Sequence, residues 1–111
     1  MQLKPCKVIV LISGNGSNLQ AIVDASYSSN YVVEAVISNK ADAFGLQRAE
    51  LANIKTQILD HRNFSSRVEF DLALRKLIDP YQPDLLVLAG FMRILSADFV
   101  QHYAGTTLNI H

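Results

Sequence analysis

Lys7-Val-Ile-Val-Leu-Ile-Ser-Gly-Asn-Gly-Ser-Asn18 carries an apolar run into a glycine turn, and its hydrophobic period changes at the glycines. Val8 to Ile12 has the length and β-branched content of a strand buried on both faces, whereas Leu19, Ile22 and Val23 recur at helical spacing. Between them, Ser13 to Asn18 holds two glycines, which permit positive φ and let the backbone come close to a ligand. Ser17 and Gln20 stand in capping-box spacing, and the unpaired N–H groups of a first helical turn, aided by the helix dipole, suit a phosphate. The loop therefore reads as an anion cradle; taken alone, it reads equally as an ordinary tight strand-to-helix turn.

Outward from this unit the alternation repeats. Tyr31 to Ser38 is a second strand, and the polar stretch Asn39 to Asp42 is turn-like. A helix is expected from about Ala43 to Ala52, burying Phe44 with Leu51 or Ala52 and closed by Asn53. Thr56 to Leu59 is a short third strand. Ser66 and Glu69 open the clearest helix, with Phe70, Leu74, Leu77 and Ile78 at intervals of three and four, and Pro80 stops it. Leu85 to Ala89 is another buried strand, ending at Gly90. Ser96 can cap a short helix carrying Phe99, Val100 and Tyr103, which stops at Gly105, and Leu108 to Ile110 is a last strand.

This alternation predicts an α/β fold, a doubly wound, Rossmann-like parallel sheet of order 3-2-1-4-5, forming one nucleotide-binding domain over residues 1–111. Ligands of such sheets gather outside the carboxyl ends of the strands, where the strand order reverses, here between strands 1 and 4. That would set the Gly14 loop beside Gly90-Phe-Met-Arg93.

Composition narrows the chemistry. Ten basic and ten acidic residues give zero formal charge, and the basic ones are scattered, so no stripe for a nucleic acid backbone is expected. Cys6, the one cysteine, has no partner within the chain, and the histidines lie far apart, so no zinc spacing is visible. No apolar run approaches membrane-spanning length, and a soluble cytoplasmic protein is the expectation.

Asn109 and His111, two apart on the last strand, leave it on the same side at its carboxyl end. An imidazole moves protons near neutral pH and a carboxamide donates to an oxyanion, so the pair suits acyl-type transfer through a tetrahedral intermediate. A terminal histidine and a solvated asparagine are the plainer alternative. A dinucleotide dehydrogenase would need a third glycine and an acid at the end of strand 2, where Leu19 and Asn39 stand.

Ile12-Ser-Gly-Asn-Gly-Ser-Asn-Leu-Gln20, Ile37-Ser-Asn-Lys-Ala-Asp42, Leu88-Ala-Gly-Phe-Met-Arg-Ile-Leu95 and Leu108-Asn-Ile-His111 together resemble, in order and spacing, the phosphoribosylglycinamide formyltransferase family. The resemblance spans the whole chain and about the N-terminal half of the family's catalytic unit. It implies formyl transfer from 10-formyltetrahydrofolate to glycinamide ribonucleotide in purine synthesis, without a metal. By position, it implies that Gly16, Ser17 and Asn18, within the Gly14-Asn15-Gly16-Ser17-Asn18 loop, hold the ribonucleotide phosphate. Arg67 and the segment Met92, Arg93, Ile94 and Leu95 match folate contacts, Asn109 the oxyanion-stabilising amide, and His111 the catalytic imidazole.

The family continues past this histidine and supplies an aspartate further on. An isolated chain ending at His111 is therefore expected to lack full activity and to expose apolar surface and a sheet edge, favouring self-association or pairing with a complementary C-terminal half. The alternatives are another folate-dependent formyltransferase or hydrolase, such as the methionyl-tRNA formyltransferase family, and a non-catalytic fragment that binds phosphate or a partner.

Overall fold

The computed structural model describes residues 4–93 and 95–110. Five parallel strands, β1 (Cys6–Ile12), β2 (Tyr31–Ser38), β3 (Lys55–Ile58), β4 (Leu85–Ala89) and β5 (Thr107–Ile110), form one sheet in the order β3-β2-β1-β4-β5. Between them run α1 (Ser17–Ser26), α2 (Phe44–Leu51), α3 (Arg67–Ile78) and α4 (Ala97–His102). The order and the alternation are those expected from the sequence.

Strand β1 shows why its apolar run is continuous. Val8, Val10 and Ile12 face one side, packing with Leu19 and Val23 of α1 and Leu46 and Ala49 of α2. Ile9 and Leu11 face the other, against Phe70, Leu74 and Ile78 of α3 and Phe99 of α4. Each such side chain, removed from water, contributes about 1.5–3 kcal/mol, so a polar residue on either face would cost heavily. On β2 the pairing with β1 steps from Val8 and Val33 to Ile9 and Ala35, leaving Glu34 as the extra residue of a bulge. That residue resets the alternation: Val33 and Val36 join the first core cluster, Ala35 and Ile37 the second.

Local punctuation behaves as expected at three helix ends. The Ser66 hydroxyl accepts the Glu69 N–H at 3.1 Å, and the Ser96 hydroxyl accepts the Phe99 N–H at 3.2 Å. Asn53, at φ 60°, closes α2. Its N–H donates to the Glu50 carbonyl at 3.0 Å, and that of Ile54 to Ala49 at 2.9 Å.

Elsewhere the structure corrects the sequence reading. Helix α1 is not capped by Ser17: the cap position is Gly16, at φ 82°, and no side chain caps this end. Helix α2 does not bury Phe44 or Leu51, which are 50% and 87% exposed; it buries Gly45, Leu46 and Ala49. Its rotation is set by Gly45, which must face the glycine loop, and Phe44 is covered instead by the Arg48 guanidinium, 5.1 Å from its ring centre. β3 begins one residue earlier than expected, and Val100 lies exposed on α4.

Candidate functional site

The loop after β1 is shaped by close backbone packing. A Cβ on Gly16 would lie 2.5 Å from the Cα of Gly45, and one on Gly45 would meet the Ile12 side chain at 2.5 Å. The two glycines thus let the start of α1 and the first turn of α2 touch, and the Gly45 N–H donates to the Gly14 carbonyl at 2.9 Å. Arg48, one helical turn on, donates from Nε to the Asn15 carbonyl at 2.9 Å and from Nη2 to Asn15 Oδ1 at 3.0 Å. It secures the loop from behind.

The opposite wall is the exit of β4. A cleft of about 160 Å³ is lined by Gly14, Asn15, Gly16, Ser17 and Asn18 on one side and by Ala89, Gly90 and Met92 on the other. It sits beyond the carboxyl ends of β1 and β4, where the connections part to opposite faces of the sheet. The first N–H groups of α1 have no intrahelical partner, and no acidic residue stands in the first turn. Backbone donors without a competing carboxylate at a helix start favour an anion.

Of the remaining expected site residues, the cleft lining includes Met92 alone among the described residues, and Met92 is 77% exposed. The Arg93 guanidinium lies 5.2 Å from the Phe70 ring centre, and its Nε is buried without a hydrogen-bond partner among the described residues. Leu95 packs against the second core cluster. Just after it, the Ser96 N–H donates to Asp71 Oδ2 at 2.5 Å. Arg67 is exposed at the first position of α3. Asn109 is exposed on β5 beside Leu88 of β4, at the carboxyl end of the sheet but outside the cleft lining. Ile94 and His111 lie outside the described residues.

Three contributors were not singled out from sequence: Ser13, Gly45 and Arg48. Gly45 had one readable signal, a glycine inside a helical stretch, which costs about 1 kcal/mol relative to alanine and so points to a packing requirement. Asn39, at the end of β2 where a dinucleotide enzyme would hold an acid, is buried and accepts a hydrogen bond from the Ser13 hydroxyl at 2.6 Å.

Larger hollows lie away from this cleft, two of them with contrasting linings. One, of about 390 Å³ at the ends of β2 and β3, is lined by residues 39–42 and 60–62. There Arg62, hydrogen-bonded to Asp60, holds the Asp60 carboxyl down at about 2. The other, of about 360 Å³, is an apolar groove lined by Val8, Ile22, Tyr31, Val87, Leu108 and Ile110 among others. Among the described residues, no group of three or more His, Cys, Asp or Glu gathers as a metal would require, and no helix is long and apolar enough to cross a membrane.

The family model described as formyl transferase matches residues 6–111. The chain is 59% identical over 106 residues to the phosphoribosylglycinamide formyltransferase of Escherichia coli (strain K12), which covers 94% of this chain and 50% of that protein. It is 48% identical over 110 residues to the trifunctional purine biosynthetic protein adenosine-3 of Homo sapiens, covering 97% of this chain and 11% of that protein. Among solved structures, the phosphoribosylglycinamide formyltransferase from Coxiella burnetii superposes with a TM-score of 0.93 at 54% identity, over 96% of this chain and 51% of that one. The one from Brucella melitensis gives 0.94 at 40% identity, over 97% and 57%. The chain thus spans about half the length of the bacterial relatives it matches.

Proposed function

This chain belongs to the formyl transferase family, and from that premise we propose that it forms the ribonucleotide-binding part of an enzyme that moves a formyl group from 10-formyltetrahydrofolate to glycinamide ribonucleotide in purine synthesis. The observation that carries the reading is the cleft at the β1/β4 parting, where a glycine loop at a helix start faces Ala89, Gly90 and Met92. A phosphate on the Gly14 to Asn18 loop would orient the glycinamide amine toward the β4 exit, where Met92 to Leu95, with Arg67, would contact the folate.

The amine nitrogen attacks the formyl carbon, a new C–N bond forms, and the carbonyl oxygen gathers negative charge. The Asn109 amide donates to that oxygen, and His111 in its protonated form stabilises it further. Collapse of the intermediate reforms the carbonyl and breaks the bond to the folate nitrogen, which leaves with the proton that the attacking amine gives up. Direct transfer of this kind draws on no metal. Activity is assigned to the assembled enzyme, with a complementary C-terminal segment or a second copy proposed to cover the apolar groove, and with the cytoplasm as its setting.

Calorimetric titration of this chain with glycinamide ribonucleotide tests the reading, paired with Gly14→Ala. A Cβ at Gly14 meets no atom within 4 Å in the free chain, so the substitution is sterically tolerated there while adding a methyl group to a residue that lines the cleft. Saturable binding that weakens at least roughly tenfold in the variant supports the cradle, the loss of a close backbone contact being worth over 1 kcal/mol. Equal binding by both chains overturns it.

A further inference from the structure

Four polar side chains are buried among the described residues: Ser13, Ser38, Asn39 and Asp71. Most buried polar groups have at least one hydrogen-bond partner, so where each bond goes is informative. Ser38 serves its own turn, exchanging hydrogen bonds with the backbone of Lys40. Ser13 and Asn39 do something less local. The Met92 N–H donates to Ser13 Oγ at 2.7 Å, and the Ser13 hydroxyl donates to Asn39 Oδ1 at 2.6 Å. Asn39 Nδ2 lies 3.3 Å from His61 Nδ1.

The direction of this chain of bonds is dictated by its first member. A backbone amide can only donate, so Ser13 Oγ accepts from Met92, and its own proton goes to Asn39 Oδ1. The Asn39 amide is thereby oriented with its NH2 toward His61, whose Nδ1 must accept, leaving the imidazole proton on Nε2. The chain of bonds crosses the gap between the ends of β1 and β4. Sheets of this topology open there because the two connections leave toward opposite faces.

We propose that Ser13 is a positioning residue that ties the glycine-loop wall of the cleft to the β4-exit wall, with Asn39, backed by His61, aiming its hydroxyl. The tie itself is independent of any ligand; its consequence for substrate binding rests on the function proposed above. With the hydroxyl in place, Gly14 on one wall and Met92 on the other hold a set separation before a ligand arrives. Without it, the Met92 amide loses that acceptor and the direct hydrogen bond between the two walls is gone.

Heteronuclear NMR on the intact chain tests this in three ways. At a pH where His61 is neutral, its ring nitrogens should report the Nε2–H tautomer; a dominant Nδ1–H tautomer overturns the relay. The Met92 amide should exchange with solvent at least roughly fivefold faster in Ser13→Ala, the loss of one hydrogen bond of ordinary net strength. Asn39→Ala should produce a smaller acceleration, and the double variant should match Ser13→Ala alone, because both changes break one chain of bonds. Unchanged Met92 exchange, or effects of the two substitutions that simply add, overturns the proposal. Should the variants not fold, the wild-type chain still decides: a Met92 amide exchanging at its intrinsic chemical rate refutes the tie. Inorganic phosphate, titrated into wild type and Ser13→Ala, separates this inference from the function. A protected Met92 amide with no phosphate binding refutes the cradle and upholds the tie, and phosphate binding with an unprotected amide does the reverse.

Discussion

Replacing Gly16 by alanine probes the contact on which the cleft is built. Gly16 has φ 82°, and a Cβ there would stand 2.5 Å from the Gly45 Cα, 3.4 Å from the Gly45 nitrogen and 3.2 Å from the Arg48 Cδ. The left-handed conformation costs a non-glycine residue about 1–2 kcal/mol. The clash is with backbone, which cannot rotate aside, and overpacking of this kind costs about 1–3 kcal/mol. Reduced freedom of the unfolded chain returns about 0.4–1 kcal/mol. The net is a destabilisation of about 3 kcal/mol, or a fall in Tm of roughly 12 °C for a domain of this size. Thermal and urea denaturation should record it, with Gly14→Ala as the control. Gly14 has open space around its Cβ position, so that variant should stay within about 0.5 kcal/mol of wild type. A Gly16→Ala protein as stable as the control would refute the argument that α1 and α2 meet through bare backbone. The same result would remove the reason for treating Gly45 as the residue that sets the rotation of α2.

Other expectations follow from the same geometry. Arg48→Met keeps the aliphatic stem but loses the hydrogen bonds to Asn15; stability should fall by about 1 kcal/mol, and inorganic phosphate should bind more weakly by calorimetry. Ser66→Ala should cost about 1 kcal/mol in denaturation because the side chain caps α3, while Ser17→Ala, which removes no cap, should stay within about 0.5 kcal/mol. The Asp60 carboxyl, held by Arg62, should titrate at about 2 by carbonyl NMR and return toward its ordinary value in Arg62→Ala. Because its folded value lies below the unfolded one near 3.9, whatever the contact adds to stability is present above that pH and vanishes as pH falls through about 2.

Much of the cleft could be read in advance from local pattern. The sequence sets the glycine loop and the Gly90 to Arg93 segment at the strand 1/strand 4 parting because parallel sheets with short crossovers admit few topologies. The residues that hold that cleft in shape could not. Arg48 reaches Asn15 across 33 residues of chain, and Met92 reaches Ser13 across 79. No spacing rule relates such partners, since which side chains meet depends on where two separately formed elements dock.

What the amino-acid sequence determined by itself is whatever a residue settles with its near neighbours. The apolar run of β1 had to be buried on both faces, Ser66 and Ser96 could cap their own helices, and Asn53 could take the left-handed turn that ends α2. Only the tertiary structure decided that α1 starts from Gly16 rather than from a Ser17 cap. It also decided that α2 turns Gly45 inward and Phe44 outward, and that Glu34 bulges so that β2 serves both cores. The physical reason is common to all three. Local propensities differ by about 1 kcal/mol or less between alternatives, whereas a backbone-to-backbone contact or a filled core face is worth several, so packing chooses among local options that the sequence leaves nearly equal.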